Sequence, residues 1–425
     1  MENFHELFLA SGGVCTDTRA LFTDCFFVCL KGDRFDANTF AEEALALGAK
    51  YVISSDEHRC NNRDIYFVPD TLVFLQTLAR FHRKKFNIPI LGITGSNGKT
   101  TTKELVNAVL EQKYHVLATK GNLNNHIGVP LTLLQLTPSH EIAIIEMGAN
   151  QPGDIEQLCD IALPTHGIVT NIGRAHLEGF GTMDVLIHTK LALFRSIFRD
   201  HGVMFCNADD SLLLEKMEQM TLNTYGMKEE AQVKGRLLDS QPFVTFEYNT
   251  KGITVGPIPT QLVGTYNLNN FLAAIAVATY FEVPAEKIKT AISQYTPSNN
   301  RSQVQKTERN TLILDCYNAN PTSVHAALAS FCLPNTENKL VILGDMLELG
   351  EVSHEEHQGV VSFCQSHTLE AIFVGPEFQK VCESFSNFSN VDELIITALL
   401  SEIEGKTILI KGSRGIALEK IIPFL

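Results

Sequence analysis

A glycine-rich segment between an apolar run and a helix-like run constrains the fold of this chain more than any other feature. The segment reads Gly92-Ile-Thr-Gly-Ser-Asn-Gly-Lys-Thr-Thr101; it closes the apolar run 88–94 and opens the helix-like run 102–112. Glycines let several backbone N–H groups converge on phosphate oxygens, and a helix N-terminus adds its positive dipole end. The segment therefore predicts a strand, a phosphate-binding loop and a helix that hold a nucleoside triphosphate.

The chemistry of the loop residues supports this interpretation. Lys99 supplies a mobile cation for the terminal phosphates, and the hydroxyl of Thr100 can bind Mg²⁺. The strict Gly-x4-Gly-Lys-Thr pattern needs glycine at position 93, which is Ile93 here. A glycine-rich turn with a solvated lysine is the alternative, and the agreement of strand, loop and helix argues against it. The candidate nucleotide-binding residues of the loop are Gly95, Ser96, Asn97, Gly98, Lys99, Thr100 and Thr101.

Length and charge bound the class of protein. With 425 residues, and about 150 residues per domain as a guide, we expect three domains. The 48 acidic and 34 basic residues give a formal charge of −14, which argues against a protein that coats nucleic acid or anionic membrane. The ten cysteines are scattered without a CxxC pair, and no apolar run approaches the roughly 18 residues of a membrane span. We expect a cytoplasmic protein with no membrane span and no nucleic-acid partner.

Alternating apolar and helix-like runs predict an α/β fold with three domains. A β-α-β pattern over 26–54 and a helix-like run at 71–85 form the first region. Repeated alternation then indicates a mostly parallel sheet covered on both faces, and a more irregular stretch after residue 207 precedes an alanine-rich helix at 269–280. The predicted domains are a small N-terminal α/β domain at 1–87, a central P-loop ATPase domain at 88–297 and a C-terminal Rossmann-like domain at 298–425.

Two strand ends are candidate metal-binding positions. The run 141–146 is a buried strand that ends in Glu146. In a parallel sheet that end lies beside the phosphate loop, so Glu146 can hold Mg²⁺, and a helix cap is the alternative. His176 follows another predicted strand and can bind a second divalent ion, although a loop histidine is more often only hydrogen-bonded. Lys190 lies on a helix-like run from 183 to 195, where a lysine with a solvated amine is the default interpretation.

Polar loops at other element ends are candidate substrate contacts. Amide side chains both donate and accept hydrogen bonds, which suits a substrate with many carbonyl and hydroxyl groups. The segment Tyr266-Asn-Leu-Asn-Asn270, at the start of the alanine-rich helix, can cap that helix or contact a base. In the last region, Asp315 ends a strand and can accept hydrogen bonds from ribose hydroxyls, and two further carboxylates can receive an amine. The candidate substrate residues are Asn122, Asn124, Asn125, Asn318, Asn320, Asp345 and Glu348.

Taken together, these stretches resemble the Mur ligase family. The matching motifs are Thr16-Asp-Thr-Arg19, Thr94-Gly-Ser-Asn-Gly-Lys-Thr-Thr101, Gly121-Asn-Leu-Asn-Asn-His-Ile-Gly-Val-Pro130, Glu146-Met-Gly148, Ala175-His-Leu-Glu-Gly-Phe-Gly181, Asp315-Cys-Tyr-Asn-Ala-Asn-Pro321 and Gly344-Asp-Met-Leu-Glu-Leu-Gly350. The resemblance implies an ATP-dependent amide ligase of peptidoglycan synthesis that uses Mg²⁺ and acts as a monomer. The last two motifs and the asparagine-rich loop look specific to the member that joins D-alanyl-D-alanine to a UDP-N-acetylmuramoyl tripeptide through an acyl phosphate.

The resemblance also implies positions for residues around the substrates. Thr18 and Arg19 would lie near the uridine diphosphate. Asn270 would approach adenine and Asp315 the ribose. Arg301, at the hinge, would reach the phosphates once the C-terminal domain closes.

The catalytic and metal-binding assignments follow from the same resemblance. Lys190 matches the family's carbamylated lysine, whose carbamate helps to hold Mg²⁺. The family often has Lys-Gly-Glu where this chain has Lys190-Leu-Ala. The implied catalytic residues are Lys99, Lys190, His176 and Arg301, and the implied metal-binding residues are Thr100, Glu146, His176 and Lys190.

Two alternatives to this function stay open at this point. Folylpolyglutamate synthase or another Mur ligase would share the phosphate loop but differ in the stretches 315–321 and 344–350. A nucleotide-dependent switch protein would close on ATP without ligation, and the many polar loops at strand ends argue against it. The sequence does not distinguish meso-diaminopimelate from L-lysine as the third residue of the acceptor peptide.

Overall fold

The computed structural model describes residues 1–60, 63–298, 300–333 and 338–425. Its sheets of more than two strands lie within residues 14–67, 90–259 and 303–411. We call the parts built on these sheets the N-terminal, central and C-terminal domains. Short 3-10 helices also occur at Thr18–Ala20, Ala37–Phe40, Glu57–Arg59, Gly350–Val352, Arg414–Ile416 and Leu418–Phe424. None of the helices in the described part of the chain is long and apolar enough to cross a membrane.

The N-terminal domain is a small parallel sheet flanked by helices. Its strands are β1 (Val14–Cys15), β2 (Phe26–Val28), β3 (Lys31–Gly32), β4 (Phe35–Asp36), β5 (Tyr51–Ser54) and β6 (Ile65–Phe67), and its helices are α1 (Glu2–Leu9), α2 (Ala41–Ala46) and α3 (Thr71–Arg83). The sheet has the order β1-β2-β5-β6, and β3 and β4 form a separate antiparallel pair. Asp70 begins α3 by accepting hydrogen bonds from the amides of Leu72 and Val73.

The N-terminal domain is fixed to the central domain through α3. Apolar residues of both domains form one continuous buried cluster. Nε2 of His82 lies 2.9 Å from the carbonyl oxygen of Leu136, and Nε of Arg83 donates to the carbonyl oxygen of Ala162 at 3.2 Å. Because these buried polar groups are paired across the boundary, the two domains pack as one block.

The central domain is built on nine strands. They are β7 (Ile90–Thr94), β8 (Val116–Ala118), β9 (Ile142–Glu146), β10 (His166–Val169), β11 (Val203–Asn207), β12 (Leu222–Gly226), β13 (Val233–Asp239), β14 (Thr245–Thr250) and β15 (Ile253–Pro259). Its helices are α4 (Lys99–Leu110), α5 (Gly128–Leu133), α6 (Asp154–Ala162), α7 (Leu177–Phe180), α8 (Met183–Arg199), α9 (Ser211–Lys216), α10 (Asn267–Tyr280) and α11 (Ala285–Gln294). The order is β15-β14-β13-β12-β11-β10-β7-β9-β8, in which neighbouring strands are parallel from β8 to β13, and β14 runs antiparallel to both β13 and β15.

The stretch that looked irregular in sequence contains these antiparallel strands. Exposed positions of β13 and β15 include the apolar Leu237, Leu238 and Ile253 together with glycine and proline, so the alternation of apolar and polar residues that marks a half-buried strand is weak there. The phosphate-loop strand β7 is instead fully buried between β9 and β10, which is why its apolar run is uninterrupted. The predicted mostly parallel sheet is confirmed.

The C-terminal domain has six strands in the order β16-β17-β21-β18-β19-β20. The strands are β16 (Gln303–Lys306), β17 (Thr311–Leu314), β18 (Lys339–Gly344), β19 (Glu370–Val374), β20 (Ser386–Phe388) and β21 (Thr407–Lys411), and the helices are α12 (Pro321–Cys332), α13 (Ser353–Ser366), α14 (Pro376–Val381), α15 (Val391–Ile395) and α16 (Leu399–Glu402). Only the edge strand β16 is antiparallel to its neighbour. Buried clusters cover both faces of this sheet, and the α/β prediction is confirmed.

Candidate active site

A cavity of about 410 Å³ lies between the central and C-terminal domains. The carboxyl ends of β7, β9 and β10 approach it from one side, and the segment after β17 approaches it from the other. Parallel α/β sheets bind ligands at this edge. The sequence-predicted residues that line it are Ser96, Asn97, Gly98, Lys99, Thr100, Thr101, Asn124, Glu146, His176, Asn270, Arg301, Asp315, Asn318 and Asn320.

Two glycines allow the loop between β7 and α4 to turn as tightly as it does. Gly95 has a φ of +143°, and a Cβ there would lie 2.0 Å from the hydroxyl oxygen of Thr170. Gly98 has a φ of +78°, and a Cβ there would lie 2.6 Å from Oδ1 of Asn270. Because α4 begins at the next residue, the first-turn N–H groups, which lack partners within the helix, lie at the loop.

Residues that follow β10 hold the phosphate loop between β7 and α4 through hydrogen bonds. The hydroxyl of Ser96 donates to the carbonyl of Gly173 at 2.9 Å and accepts from its amide at 3.0 Å. The amide of Asn97 donates to Oδ1 of Asn171 at 3.0 Å. Nδ2 of Asn171 and the hydroxyl of Thr170 both donate to the carbonyl oxygen of Asn97, at 3.0 and 2.6 Å. The loop is therefore preorganised before any ligand enters.

The ammonium of Lys99 folds back over the loop. Nζ donates to the carbonyl oxygens of Gly95 at 2.7 Å and Ser96 at 3.1 Å. The pKa of Lys99 is lowered to about 8, mainly by burial; the carboxylate of Glu146 opposes this shift, and the positive charge of Arg301 adds to it. An anion in the cavity would restore the charged form, because opposite charge raises the pKa of an amine.

Glu146 ends β9 with a carboxylate that is 1% exposed. Its Oε1 accepts from the hydroxyl of Thr100 at 3.2 Å and from Nδ2 of Asn124 at 2.8 Å. Its Oε2 is buried and has no hydrogen-bond partner among the described residues. A buried carboxylate oxygen without a partner is costly unless something binds it.

This donor set fits Mg²⁺. Oxygen ligands are the ones that Mg²⁺ prefers, and it commonly keeps one or two carboxylates and takes its other ligands from water and substrate phosphates. The described residues contain no cluster of three or more His, Cys, Asp or Glu side chains that could hold a metal ion. Glu146 and Thr100 supply the two oxygen positions that adjoin the loop.

His176 lies on the far wall of the cavity in the left-handed conformation, with a φ of +53°. Its Nδ1 is hydrogen-bonded to the carboxylate of Glu348, which belongs to the C-terminal domain. That hydrogen bond lowers the pKa of Glu348. Nε2 is therefore the nitrogen through which His176 could reach a metal ion. Nearby, Arg174 pairs with Glu356 at 2.7 Å across the same boundary.

The side chain of Lys190 is buried in the central domain and does not lie on the protein surface. Its side chain is 1% exposed, Nζ lies 3.4 Å from the carbonyl oxygen of Ala149, and the ring centroid of Phe180 is 5.8 Å away. Burial lowers the pKa of Lys190 well below its usual range, and the positive charge of Lys99 adds to that effect. The default interpretation of a solvated lysine is therefore wrong, because the amine is buried and its lowered pKa favours the neutral form.

The C-terminal wall carries two cations. The guanidinium of Arg301 stacks 3.9 Å from the ring centroid of Tyr317, and its buried Nε has no partner among the residues described. Nζ of Lys411 lies 2.6 Å from Oδ2 of Asp315, whose Oδ1 accepts from the amide of Ser302 at 3.2 Å. Asp315 thus reaches the cavity as half of an ion pair.

Asn270 lines the opposite end of the cavity. Its Oδ1 accepts from the hydroxyl of Thr102 at 3.1 Å, and its Nδ2 donates to Oδ1 of Asn267 at 2.8 Å. It lies within the first turn of α10 and is not the N-cap, which is Tyr266. Tyr266 makes no side-chain cap hydrogen bond, so the interpretation that side chains of the segment 266–270 cap the helix is wrong.

Several predicted substrate residues lie outside this cavity. Arg19 is exposed and pairs with Asp17 at 2.7 Å, with Thr18 in the same 3-10 helix. Oδ1 of Asn125 accepts from the amide of Gly128 and so begins α5. Asn122, in the same loop, is exposed.

The structure contradicts the predicted role of Asp345 as a substrate contact. The residue is fully buried, and its two oxygens accept from the amides of Glu377 at 2.8 Å and Phe378 at 2.9 Å. His357 lies 3.7 Å away on the other side. Asp345 therefore caps α14 inside the domain and offers no carboxylate to a substrate amine in this arrangement.

Sequence reasoning missed three residues that contribute to the candidate active site. Lys411 sits at the end of β21, where an apolar run with a terminal lysine gives no distinctive signal. Thr170 and Asn171 follow β10, and their adjacency to the loop depends on which strand neighbours β7. The signal that could have identified these two residues is the presence of two polar side chains directly after a buried strand.

Comparison with known proteins places these features in a family. The model of the Mur ligase middle domain matches residues 93–278, and that of the Mur ligase, glutamate ligase domain matches residues 300–414. The UDP-N-acetylmuramoyl-tripeptide--D-alanyl-D-alanine ligase of Bacillus subtilis is 34% identical, covering 97% of this chain and 93% of the relative. The crystal structure of MurF from Acinetobacter baumannii superposes with a TM-score of 0.85 at 29% identity, covering 96% of this chain and 92% of that one. MurF ligase from Thermotoga maritima in complex with ADP gives 0.86 at 27% identity, with 98% and 97% covered.

Proposed function

The chain belongs to the Mur ligase family, and from that premise we propose that it is the ATP-dependent ligase that joins D-alanyl-D-alanine to UDP-N-acetylmuramoyl tripeptide in peptidoglycan synthesis. The observation that carries the proposal is a single cavity in which the phosphate loop meets the segment 315–320 of the C-terminal domain. That segment is part of the motif that resembles this member of the family. ATP in the cavity would contact both domains at once.

The reaction has two steps whose charges the cavity residues can offset. In the first, the terminal carboxylate of the tripeptide attacks the γ-phosphorus of ATP, so that a new O–P bond forms and the bond to ADP breaks. In the second, the amine of D-alanyl-D-alanine attacks the acyl carbon, phosphate leaves and the amine loses a proton. Negative charge builds on phosphoryl oxygens first and on the tetrahedral oxygen second.

The residues of the phosphate loop supply the positive charge for the first step. Lys99 would turn from the loop carbonyls to the terminal phosphates, and the first-turn N–H groups of α4 would donate to them. Arg301, which stacks on Tyr317 and whose Nε has no partner among the described residues, would approach from the C-terminal domain. Mg²⁺, held by Thr100, Glu146 and His176, would neutralise charge on the phosphate oxygens.

Lys190 is proposed to carry a carbamate. A neutral lysine amine attacks CO₂, a C–N bond forms, and one proton is released. Burial of Lys190 lowers the pKa of its amine and so favours the neutral form that the first requirement names. The resulting anion would add a negative charge beneath the loop, where Lys99 already lies close enough to influence Lys190, and it would complete the metal site that Glu146 leaves open.

The remaining assignments combine the geometry of the cavity with the family resemblance. We assign adenine to the end of the cavity at Asn270, and the ribose to Asp315. Thr18 and Arg19 in the N-terminal domain are assigned to the uridine diphosphate. The asparagine-rich loop with Asn122, Asn124 and Asn125 is assigned to the peptide. Glu348 is assigned to domain closure through His176, in place of a substrate contact.

Phosphate release from ATP tests the proposal when the substrates are varied one at a time. We expect release only when UDP-N-acetylmuramoyl tripeptide and D-alanyl-D-alanine are both present. Replacing them by a folate and glutamate tests folylpolyglutamate synthase, and release that needs neither acceptor would support the switch protein. With ¹⁸O in the tripeptide carboxylate, the acyl-phosphate route predicts one labelled oxygen in the released phosphate, and unlabelled phosphate would contradict it.

A further inference from the structure

We infer that Asn320 is a positioning residue that orients the side-chain amide of Asn97, so that the phosphate loop gains its last N–H donors only when the C-terminal domain is docked. Nδ2 of Asn320 donates to Oδ1 of Asn97 at 2.7 Å. This hydrogen bond joins the N-terminus of α12 to the loop between β7 and α4. The inference deepens the proposed function, on which it rests for the nucleotide in the cavity.

The orientation of Asn320 follows from its own hydrogen bonds. Its Oδ1 accepts from the amide of Ser323 at 2.9 Å, and the hydroxyl of Ser323 accepts from the amide of Asn320 at 3.1 Å. This capping box, with Pro321 in the first turn, fixes the side chain at the start of α12. With Oδ1 committed to the helix, only the NH₂ group can face the phosphate loop.

The orientation of Asn97 then follows from that of Asn320. An NH₂ group needs an acceptor, so Asn97 must present its oxygen to the C-terminal domain and turn its own NH₂ group the other way. The backbone of Asn97 cannot turn with it, because Thr170 and Asn171 hold both its carbonyl and its amide. Only rotation of the side chain is left open.

The NH₂ group of Asn97 has no partner in the structure. Nδ2 is buried and finds no acceptor in the described ranges, and Asn97 lines the cavity. A buried donor without a partner is costly. A phosphate oxygen is an acceptor that would satisfy it, and a hydrogen bond to a charged group is stronger than one to a neutral group. Docking of the C-terminal domain therefore completes the loop, and undocking lets the amide turn its oxygen toward the phosphates.

A double-mutant cycle on nucleotide affinity tests this coupling. The probe is AMP-PNP with Mg²⁺, measured by calorimetry on the full chain without acceptor substrates. Asn320→Ser keeps an oxygen for the helix cap and removes the donor to Asn97, and we expect affinity to fall about tenfold. Asn97→Ala should cost about the same, and the double variant should lose no more than Asn97→Ala alone.

The matched control is Asn390, which caps α15 in the same domain by accepting from the amide of Glu393 at 2.8 Å. Asn390→Ser should leave AMP-PNP affinity unchanged. If Asn320→Ser fails to fold, Asn320→Asp carries the test. Its carboxylate keeps the cap and draws the NH₂ group of Asn97 away from the phosphates, so affinity should fall at least as far.

The outcomes separate this inference from the proposed function. Losses that add in the double variant, or a folded Asn320 variant with wild-type affinity, would overturn the inference. A wild-type protein that binds AMP-PNP but does not ligate would overturn the proposed function, and the cycle would still decide the coupling because it is read in nucleotide affinity alone.

Discussion

Nucleotide binding should weaken as pH rises through the pKa of Lys99, because the phosphates need the charged amine. The folded-state pKa is lowered from 10.5 to about 8. Near pH 7 about nine-tenths of the molecules carry the charge, and near pH 9 about one-tenth do. If binding requires the ammonium form, affinity for AMP-PNP should therefore fall about tenfold between these pH values.

The same residue is expected to dominate turnover. Lys99→Ala removes one charged donor from the phosphoryl oxygens, and such a donor is worth about 3–4 kcal/mol of barrier, or about a hundredfold to a thousandfold in kcat. The fold should be unaffected, because the amine bonds only to the carbonyls of Gly95 and Ser96 within the loop.

Calorimetry at several pH values gives the decisive comparison. Lys99→Arg is the matched control, since a guanidinium stays charged throughout this range and its binding curve should be flat. A wild-type affinity that does not change between pH 7 and pH 9 would refute the assignment, as would an active and well-folded Lys99→Ala.

Three further changes test the rest of the site. Glu146→Gln keeps the shape but removes the charge, so the Mg²⁺ concentration for half-maximal activity should rise about tenfold or more; an unchanged requirement would place the metal elsewhere. Wild-type protein stripped of CO₂ should lose activity and one CO₂ in mass and regain both with bicarbonate, whereas a CO₂-independent enzyme would exclude the carbamate at Lys190. Gly98→Ala should abolish AMP-PNP binding, because its Cβ would meet Oδ1 of Asn270 at 2.6 Å. Gly252→Ala has nearly the same φ, +79°, with open space around it, and should bind normally.

The fold was predictable wherever burial gave the sequence a strong pattern of apolar residues. The uninterrupted apolar run of β7 marked a central parallel strand, and the alternation with helices gave the α/β class. The strands β13 to β15 were missed because apolar residues, glycine and proline at exposed positions of β13 and β15 break the alternation of apolar and polar residues. An antiparallel extension at a sheet edge leaves little apolar periodicity to read.

The site was predictable only in part, since a motif gives residue types and not partners. The phosphate loop and Glu146 were found because strand ends in a parallel sheet meet at one edge. Asp345 was misassigned because a carboxylate after a strand can equally cap a helix, and only the position of α14 decides between them. Lys411 went unnoticed because its partner Asp315 directly follows a different strand, β17.

The contact between Asn320 and Asn97 was beyond sequence reasoning for a related reason. Each asparagine has an ordinary local explanation, one as a helix cap and one as a loop residue. Their hydrogen bond spans two domains, and it depends on the docked arrangement of those domains.

The mass of the nucleotide-linked product tests the central claim most directly. After incubation with ATP, Mg²⁺, UDP-N-acetylmuramoyl tripeptide and D-alanyl-D-alanine, the product should be heavier than the tripeptide substrate by the dipeptide less one water. One phosphate should be released for each product molecule. An unchanged nucleotide-linked substrate with ATP consumed, or a product formed with glutamate in place of the dipeptide, would contradict the account.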